Sequence, residues 1–206
     1  MELIPTQAEV IDLLKQSGAL REGFFKYPGG LYSNQYLQVA LAMTSYQTQK
    51  ILSVGLSRLV RKDPEIRAII DRLSIVAPAT GGISVAYSIC EALRAHRVYW
   101  AERFEDGAPM LFAQFLEVQP GEKVLLVDDR MRTGKAMSEM KALVESRGGE
   151  VVGMAVLVHQ PAPNCLDFSP LPLFYLAKLD AVFCTDEASC PIAPGQKPIE
   201  IWDSTA

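Results

Sequence analysis

Apolar positions along the chain change their period several times, and each change marks an element. Thr6 with Glu9 three positions on forms a capping box, and Val10, Ile11, Leu13 and Leu14 follow at helical spacing until Gly18 stops the run. Residues 23–39, GFFKYPGGLYSNQYLQV, read as two short strands around a Pro-Gly-Gly turn, a cap that precedes the core. A second helix starts at Thr44 or Ser45, carries Ile51, Leu52, Val54, Leu59 and Val60, and ends before Pro64. The pattern then becomes repetitive. LSIVAPA (73–79) is strand-like, GGISVAYSICEALRA helical, RVYWAER and KVLLVDD strand-like, GKAMSEMKALVESRGG helical and EVVGMAVLVHQ strand-like. Strands that are apolar on both faces and alternate with helices predict an α/β fold, with a mostly parallel central sheet flanked by helices. LFAQFLEVQPGEK (111–123) breaks the rhythm with alternation and a Pro-Gly turn, which predicts a hairpin-like excursion, and PIAPGQKPIEIW near the end reads as irregular.

Composition narrows the partners. With 206 residues, 49% apolar and 21% charged, the chain has the size of one domain that can bury a full core without staples. A net charge of −4 gives no basic field for nucleic acid, so any phosphate must be gripped by a local site, which favours a small ligand. The start, MELIPTQAEV, carries an acidic residue and no apolar run, and nowhere do about eighteen apolar residues follow one another, so neither export nor membrane binding is expected. Cys90, Cys165, Cys184 and Cys190 are scattered thiols that suit a reduced cytoplasm. Cys184 and Cys190 lack the second pair or nearby His of a zinc site, and ordinary packing is expected of them.

The densest chemistry lies in VLLVDDRMRTGKAM (124–137). A buried strand ending in Asp128-Asp129, followed by a helix from about Gly134, sets carboxylates and free N–H groups at the carboxyl edge of the sheet, where ligands of open α/β folds sit. The helix start favours an anion such as phosphate, and the carboxylates suit sugar hydroxyls or a hard divalent cation. A phosphate-bearing polyhydroxyl ring would use both. A Walker loop fits poorly, because Asp129 stands at the first Gly and Ala136 at the magnesium-holding Ser or Thr. A receiver-type phosphoacceptor pair belongs near the start of its domain, and these aspartates come past the middle. A purely structural reading also exists: Asp129 and Thr133 capping a helix beside solvated Arg130 and Arg132.

Val-Asp-Asp followed by Thr133-Gly134 resembles the loop of type I phosphoribosyltransferases that cradles the 5-phosphate and ribose hydroxyls of phosphoribosyl pyrophosphate (PRPP). Four further segments resemble the orotate branch in order: GALREGFFKYPGGLYSNQYLQ its hood, VAPATGGISVAYSICEAL its pyrophosphate loop and helix, AERFEDGAPMLF its mobile catalytic loop, and VVGMAVLVHQ the strand after the PRPP helix. Cys190-Pro191 and Lys197-Pro198 are similar to one branch's tail. The resemblance implies one type I phosphoribosyltransferase-like domain over 1–206, its hood formed by about 1–40 and the C-terminal segment. It implies transfer of ribose 5-phosphate from PRPP to orotate or another base, giving orotidine 5'-monophosphate in pyrimidine biosynthesis. It also implies a cytoplasmic homodimer and Mg2+ held mainly through pyrophosphate. Carried over residue by residue, Arg103, Asp128 and Asp129 are catalytic candidates. Thr80, Gly81 and Gly82 would meet pyrophosphate, Thr133, Gly134, Lys135 and Ala136 the phosphate, and Tyr36, Arg132 and Gln160 the base. Thr80-Gly81-Gly82 also reads as a plain strand-to-helix turn, and Tyr36 as a core aromatic.

The chain departs from the family pattern at identifiable places. After the acidic pair the family continues with an aliphatic residue, a variable one and Thr-Thr-Gly-Gly-Ser, whereas Arg130, Arg132 and Lys135 bring three cations here, able either to tighten phosphate binding or to fill the pocket. Arg132 replaces a Thr near the base, and Gln160 an Arg that pairs with orotate. Phe104 stands where many relatives have Lys, the Lys-x-His-Gly of the mobile loop is missing, and Ala113-Gln114 replaces an Arg-Arg pair. His159 stands where relatives often carry Asp and is expected to line the pocket, while His96 is expected at a helix end. Thinned charge on the pyrophosphate side leaves a second reading beside the transferase: a non-catalytic relative that binds a nucleotide or PRPP.

Overall fold

The computed structural model describes residues 4–28, 30–105, 107–187, 190–192 and 196–201. Helix α1 (Gln7–Gln16) opens on the expected capping box, Thr6 accepting from the Glu9 N–H while the Glu9 carboxylate accepts from Thr6. Strands β1 (Leu20–Lys26) and β2 (Tyr32–Leu37) pair antiparallel, and the short helix α2 (Val39–Met43) leads to α3 (Tyr46–Val60), which Ser45 caps. After α4 (Pro64–Arg67), capped by Asp63, and a 3-10 turn at Ile70–Arg72, the alternation begins. It runs β3 (Leu73–Pro78), α5 (Gly81–Leu93), β4 (Arg97–Glu102), β5 (Leu111–Phe112), β6 (Lys123–Met131), α6 (Lys135–Ser146), β7 (Glu150–His159) and β8 (Leu173–Lys178). Two-residue strands β9 (Phe183–Cys184) and β10 (Ile199–Glu200) close the order.

The main sheet has the order β5-β4-β3-β6-β7-β8, parallel except at the β5 edge. Its strands alternate side chains between two cores, which is why they read as unbroken apolar runs. Leu125, Val127, Ala155 and Leu157 face one core with Leu52, Leu56 and Ile89 of α3 and α5. Val124, Leu126, Met154 and Val156 face the other with Met137, Met140 and Val144 of α6. A smaller sheet, β10-β1-β2-β9, forms the hood over the carboxyl edge, held by the Arg130 guanidinium, which donates to the Leu37 carbonyl, and by Gln160 Nε2 donating to Gln35 Oε1 at 3.2 Å.

Several expectations need correction. The hairpin at 111–123 shrinks to Leu111–Phe112 against Ala101–Glu102; beyond it Leu116 turns back onto the Ala113 carbonyl, and Phe115 stands 91% exposed with φ of 66°. The irregular tail contributes β10, parallel to Phe25–Lys26. Cys184 and Cys190 form a disulfide rather than packing as separate thiols, because the return of the chain after β9 brings them together beside Phe24 and Tyr32; Cys90 and Cys165 are free. Gly29 of the Pro-Gly-Gly turn, residues 1–3, Asp106, and 193–195 and Trp202 of the tail lie outside the described residues.

Candidate active site

Two backbone turns meet at the carboxyl edge. Asp128 and Asp129 close the buried part of β6, and the Asp128 Oδ1 accepts the Asp129 N–H at 2.8 Å. Facing them, Gly81 and Gly82 begin α5 after the exposed Thr80, whose side chain does not cap the helix. A Cβ on Gly81 would come within 3.4 Å of the Asp129 carboxyl group. One on Gly82 would meet Asp128 Oδ1 at 3.2 Å and Pro78 Cδ at 2.7 Å. At Gly82 only hydrogen fits without a shift of Pro78, whereas a Cβ on Gly81 would make ordinary contact. Burial, and then the neighbouring Asp129 charge, hold the Asp128 carboxyl well above the usual carboxylate range; burial also raises Asp129, opposed by Arg130. The pair sets two acceptor groups side by side at this edge.

From Arg130 to Ala136 the chain loops into α6 and encloses a cavity of about 210 Å³. Gly134 makes the turn at φ of 77°, where a Cβ would strike Phe168 Cε2 at 2.8 Å. The loop is backed from behind, Leu166 N–H donating to the Thr133 carbonyl at 2.9 Å and Ala162 N–H to that of Arg132 at 3.0 Å. Lys135 N–H reaches Thr133 Oγ1 at 3.3 Å, and no side chain caps the helix at Gly134 among the described residues, so the first turn of α6 presents N–H groups and the positive end of its dipole to the cavity. The cations leave it open. Arg130 turns to the hood, Arg132 stacks 4.3 Å from the Tyr27 ring centre and 5.8 Å from that of Phe183, and Lys135 is exposed, its Nζ 3.9 Å from Glu139.

The remaining candidates take different places. Gln160 is fully buried, its N–H donating to the Met131 carbonyl at 2.9 Å. Tyr36 stands behind Tyr27, ring centres 6.1 Å apart, with its hydroxyl on Gln38. Arg103 donates to the Ala108 carbonyl and pairs with Glu139 on α6. His159 does not line the phosphate cavity. It pairs in register with Met131 and lines a separate cavity of about 500 Å³ with Cys165, Phe168 and Lys178, where burial and Lys178 pull its imidazole down. Sequence reasoning missed Tyr27, Gln35 and Phe183. Tyr27 carried a signal, since it directly precedes the hood's turn; Gln35 and Phe183 reach the site only through strand pairing.

Residues 64–167 match the family described as the phosphoribosyl transferase domain. The orotate phosphoribosyltransferase of Carboxydothermus hydrogenoformans is 34% identical over 191 residues, covering 93% of this chain and 94% of that protein. That of Desulforamulus reducens is 36% identical over 151 residues, 73% of each. The crystal structure of orotate phosphoribosyltransferase from Aeropyrum pernix superposes with a TM-score of 0.66 at 22% identity, covering 82% of this chain and 93% of that one, and so shares the fold.

Proposed function

This chain belongs to the phosphoribosyltransferase family, and from that premise we propose that it transfers ribose 5-phosphate from PRPP to orotate, releasing pyrophosphate and forming orotidine 5'-monophosphate. The observation that carries the reading is the open cavity at the start of α6, set beside the buried Asp128 and half-buried Asp129 carboxyls, whose protons burial holds more tightly than usual. A 5-phosphate in the cavity would meet the N–H groups of the loop and of the helix start. The ribose hydroxyls would then lie where Asp128 and Asp129 accept hydrogen bonds, which relieves carboxyls that burial has left strained. Thr80, Gly81 and Gly82 supply the close backbone approach that pyrophosphate needs opposite them.

Position and electrostatics do the rest. As the anomeric carbon–oxygen bond breaks, a ring nitrogen of the base attacks the same carbon and the bonding pair leaves with pyrophosphate. Arg103 would supply positive charge to the leaving group once it lets go of Glu139. Magnesium fits as an ion carried mainly on PRPP oxygens: the donors here are hard carboxylates at Asp128 and Asp129, and no cluster of three or more His, Cys, Asp or Glu exists among the described residues to cage it. When bound it neutralises charge on the departing pyrophosphate. A homodimer, a cytoplasmic setting and a single domain over 1–206 complete the proposal and rest on the family resemblance. No helix among the described residues is long and apolar enough to cross a membrane.

The test mixes purified protein with PRPP, magnesium and orotate, uracil or adenine in turn. Pyrophosphate release with orotate is expected; binding of nucleotide monophosphates without release for any base would instead favour the non-catalytic relative.

A further inference from the structure

Behind the phosphate loop, on the α6 side of the sheet, lies the cavity of about 500 Å³, more than twice the 210 Å³ at the start of α6. Its origin is topological. Parallel neighbours such as β7 and β8 are usually joined through a helix that packs on the sheet, but residues 160–172 cross over without one among the described residues, and coil roofs the strand ends instead. Met131, His159 and Lys178 stand in register across β6, β7 and β8 and line the cavity, while Pro161, Phe168 and Leu171 close it from the crossover. The same coil backs the phosphate loop through the Ala162 and Leu166 N–H groups, and Phe168 packs where Gly134 has no Cβ. Two charged side chains line the cavity. Asp167 is satisfied locally, its Oδ1 accepting from the Ser169 N–H at 3.0 Å and from the Ser169 hydroxyl at 2.9 Å. Lys178 pairs only loosely, its Nζ 3.9 Å from the exposed Asp180, a contact that water screens, and its charge reaches the wall, where it adds to burial in pulling the His159 imidazole down.

We propose that this cavity is an effector site for a small apolar carboxylate, whose body packs against Phe168 and Leu171 while its anionic group pairs with Lys178, and that its occupancy tightens the phosphate loop. The lining selects the class. Apolar walls take an apolar body, the loosely held ammonium takes one negative charge, and the volume falls in the range of small-molecule pockets, about 300–1,000 Å³. A polyhydroxyl ligand would strand its hydroxyls against Met131, Leu171 and Leu173. Coupling runs through the crossover coil, whose Ala162 and Leu166 N–H groups are either bonded to the Arg132 and Thr133 carbonyls or released from them. A ligand packed against Phe168 favours the bonded arrangement, which holds the N–H groups at the start of α6 in place for phosphate. The inference goes beyond the transferase reading and asks of it only that the start of α6 bind phosphate.

Benzoate and benzamide share a shape and differ in charge, and inorganic phosphate reports on the loop. On the full chain, benzoate is expected to slow iodoacetamide labelling of Cys165, a free thiol that lines the cavity, while Cys90 on α5 labels as before. It should do so at a roughly tenfold lower concentration than benzamide, the gain of a charged over a neutral hydrogen bond. Saturating benzoate should tighten phosphate binding in calorimetry by about fivefold, at the low end of coupling between sites. Lys178→Met, at a half-exposed position, loses the preference for benzoate over benzamide and still binds phosphate. Leu171→Trp, which fills the cavity, loses the protection of Cys165 by both probes. Unprotected Cys165, phosphate affinity that benzoate leaves unmoved, or a charge preference that survives in Lys178→Met overturns the effector site and leaves the transferase reading standing. Wild-type protein that binds no phosphate with or without benzoate overturns both.

Discussion

Gly82 lies so close to Asp128 that a Cβ added to it would stand 3.2 Å from the carboxyl oxygen Oδ1. The same atom would press on Pro78 Cδ at 2.7 Å, and a proline ring in a strand has little room to yield. Gly82→Ala is therefore expected to destabilise the fold by about 1–3 kcal/mol, the usual range for overpacking, and to displace Asp128 from the ribose position. Urea unfolding measures the first effect. Loss of orotidine 5'-monophosphate affinity beyond what refolding at low temperature restores measures the second.

The buried state of Asp128 predicts an unusual pH dependence. Its carboxyl holds its proton more tightly in the folded protein, through burial and the charge of Asp129, than in the unfolded chain. Below the unfolded value, near 3.8, the group is neutral in both states and costs nothing. As pH rises from there towards the folded value, the unfolded state releases the proton first and stability falls. Asp128→Asn removes this term while keeping an acceptor for the Asp129 N–H. The variant's gain in melting temperature over the wild type is expected to be larger at pH 7 than at pH 4; an equal gain at both would contradict a raised carboxyl.

Asp129→Asn probes the partner carboxyl. The substitution keeps shape but removes the anion that ribose hydroxyls would meet, so orotidine 5'-monophosphate should bind roughly tenfold more weakly, as for one charge-assisted hydrogen bond. Melting should stay within a few degrees of the parent. Unchanged binding would move the ribose away from this edge.

How much of this was legible in the sequence follows from the range of each interaction. The capping box at Thr6 and Glu9, the cap at Ser45, and the apolar runs of β3, β6 and β7 are local or periodic, and the architecture follows from them. The loop Arg130–Ala136 was readable because strand, turn and helix start are contiguous. Directions of side chains were not. Whether Arg132 filled the cradle depended on Tyr27 and Phe183, which are 105 and 51 positions away (132 − 27 and 183 − 132) and arrive only when the hood folds over the sheet. His159 failed for a similar reason: strand alternation sends it to the α6 side with Met131, and its neighbour Gln160 to the hood.

Arg103 and Glu139 carry the last prediction, because their pairing holds the one cation retained from the catalytic-loop pattern against α6. Both side chains are about 30% exposed, at 30% and 27%, so the pair contributes little to stability, on the order of 0–1 kcal/mol. Its effect should fall on turnover. Arg103→Ala is expected to lower kcat for pyrophosphate release by about 100-fold or more, the loss typical of a single donor at developing charge, with melting nearly unchanged. Glu139→Gln should act oppositely, since it frees Arg103 without removing it: kcat holds or rises. Steady-state kinetics with PRPP and orotate separates the two, and a Glu139→Gln variant as slow as Arg103→Ala would mean that the ion pair itself, rather than a released Arg103, is the working arrangement.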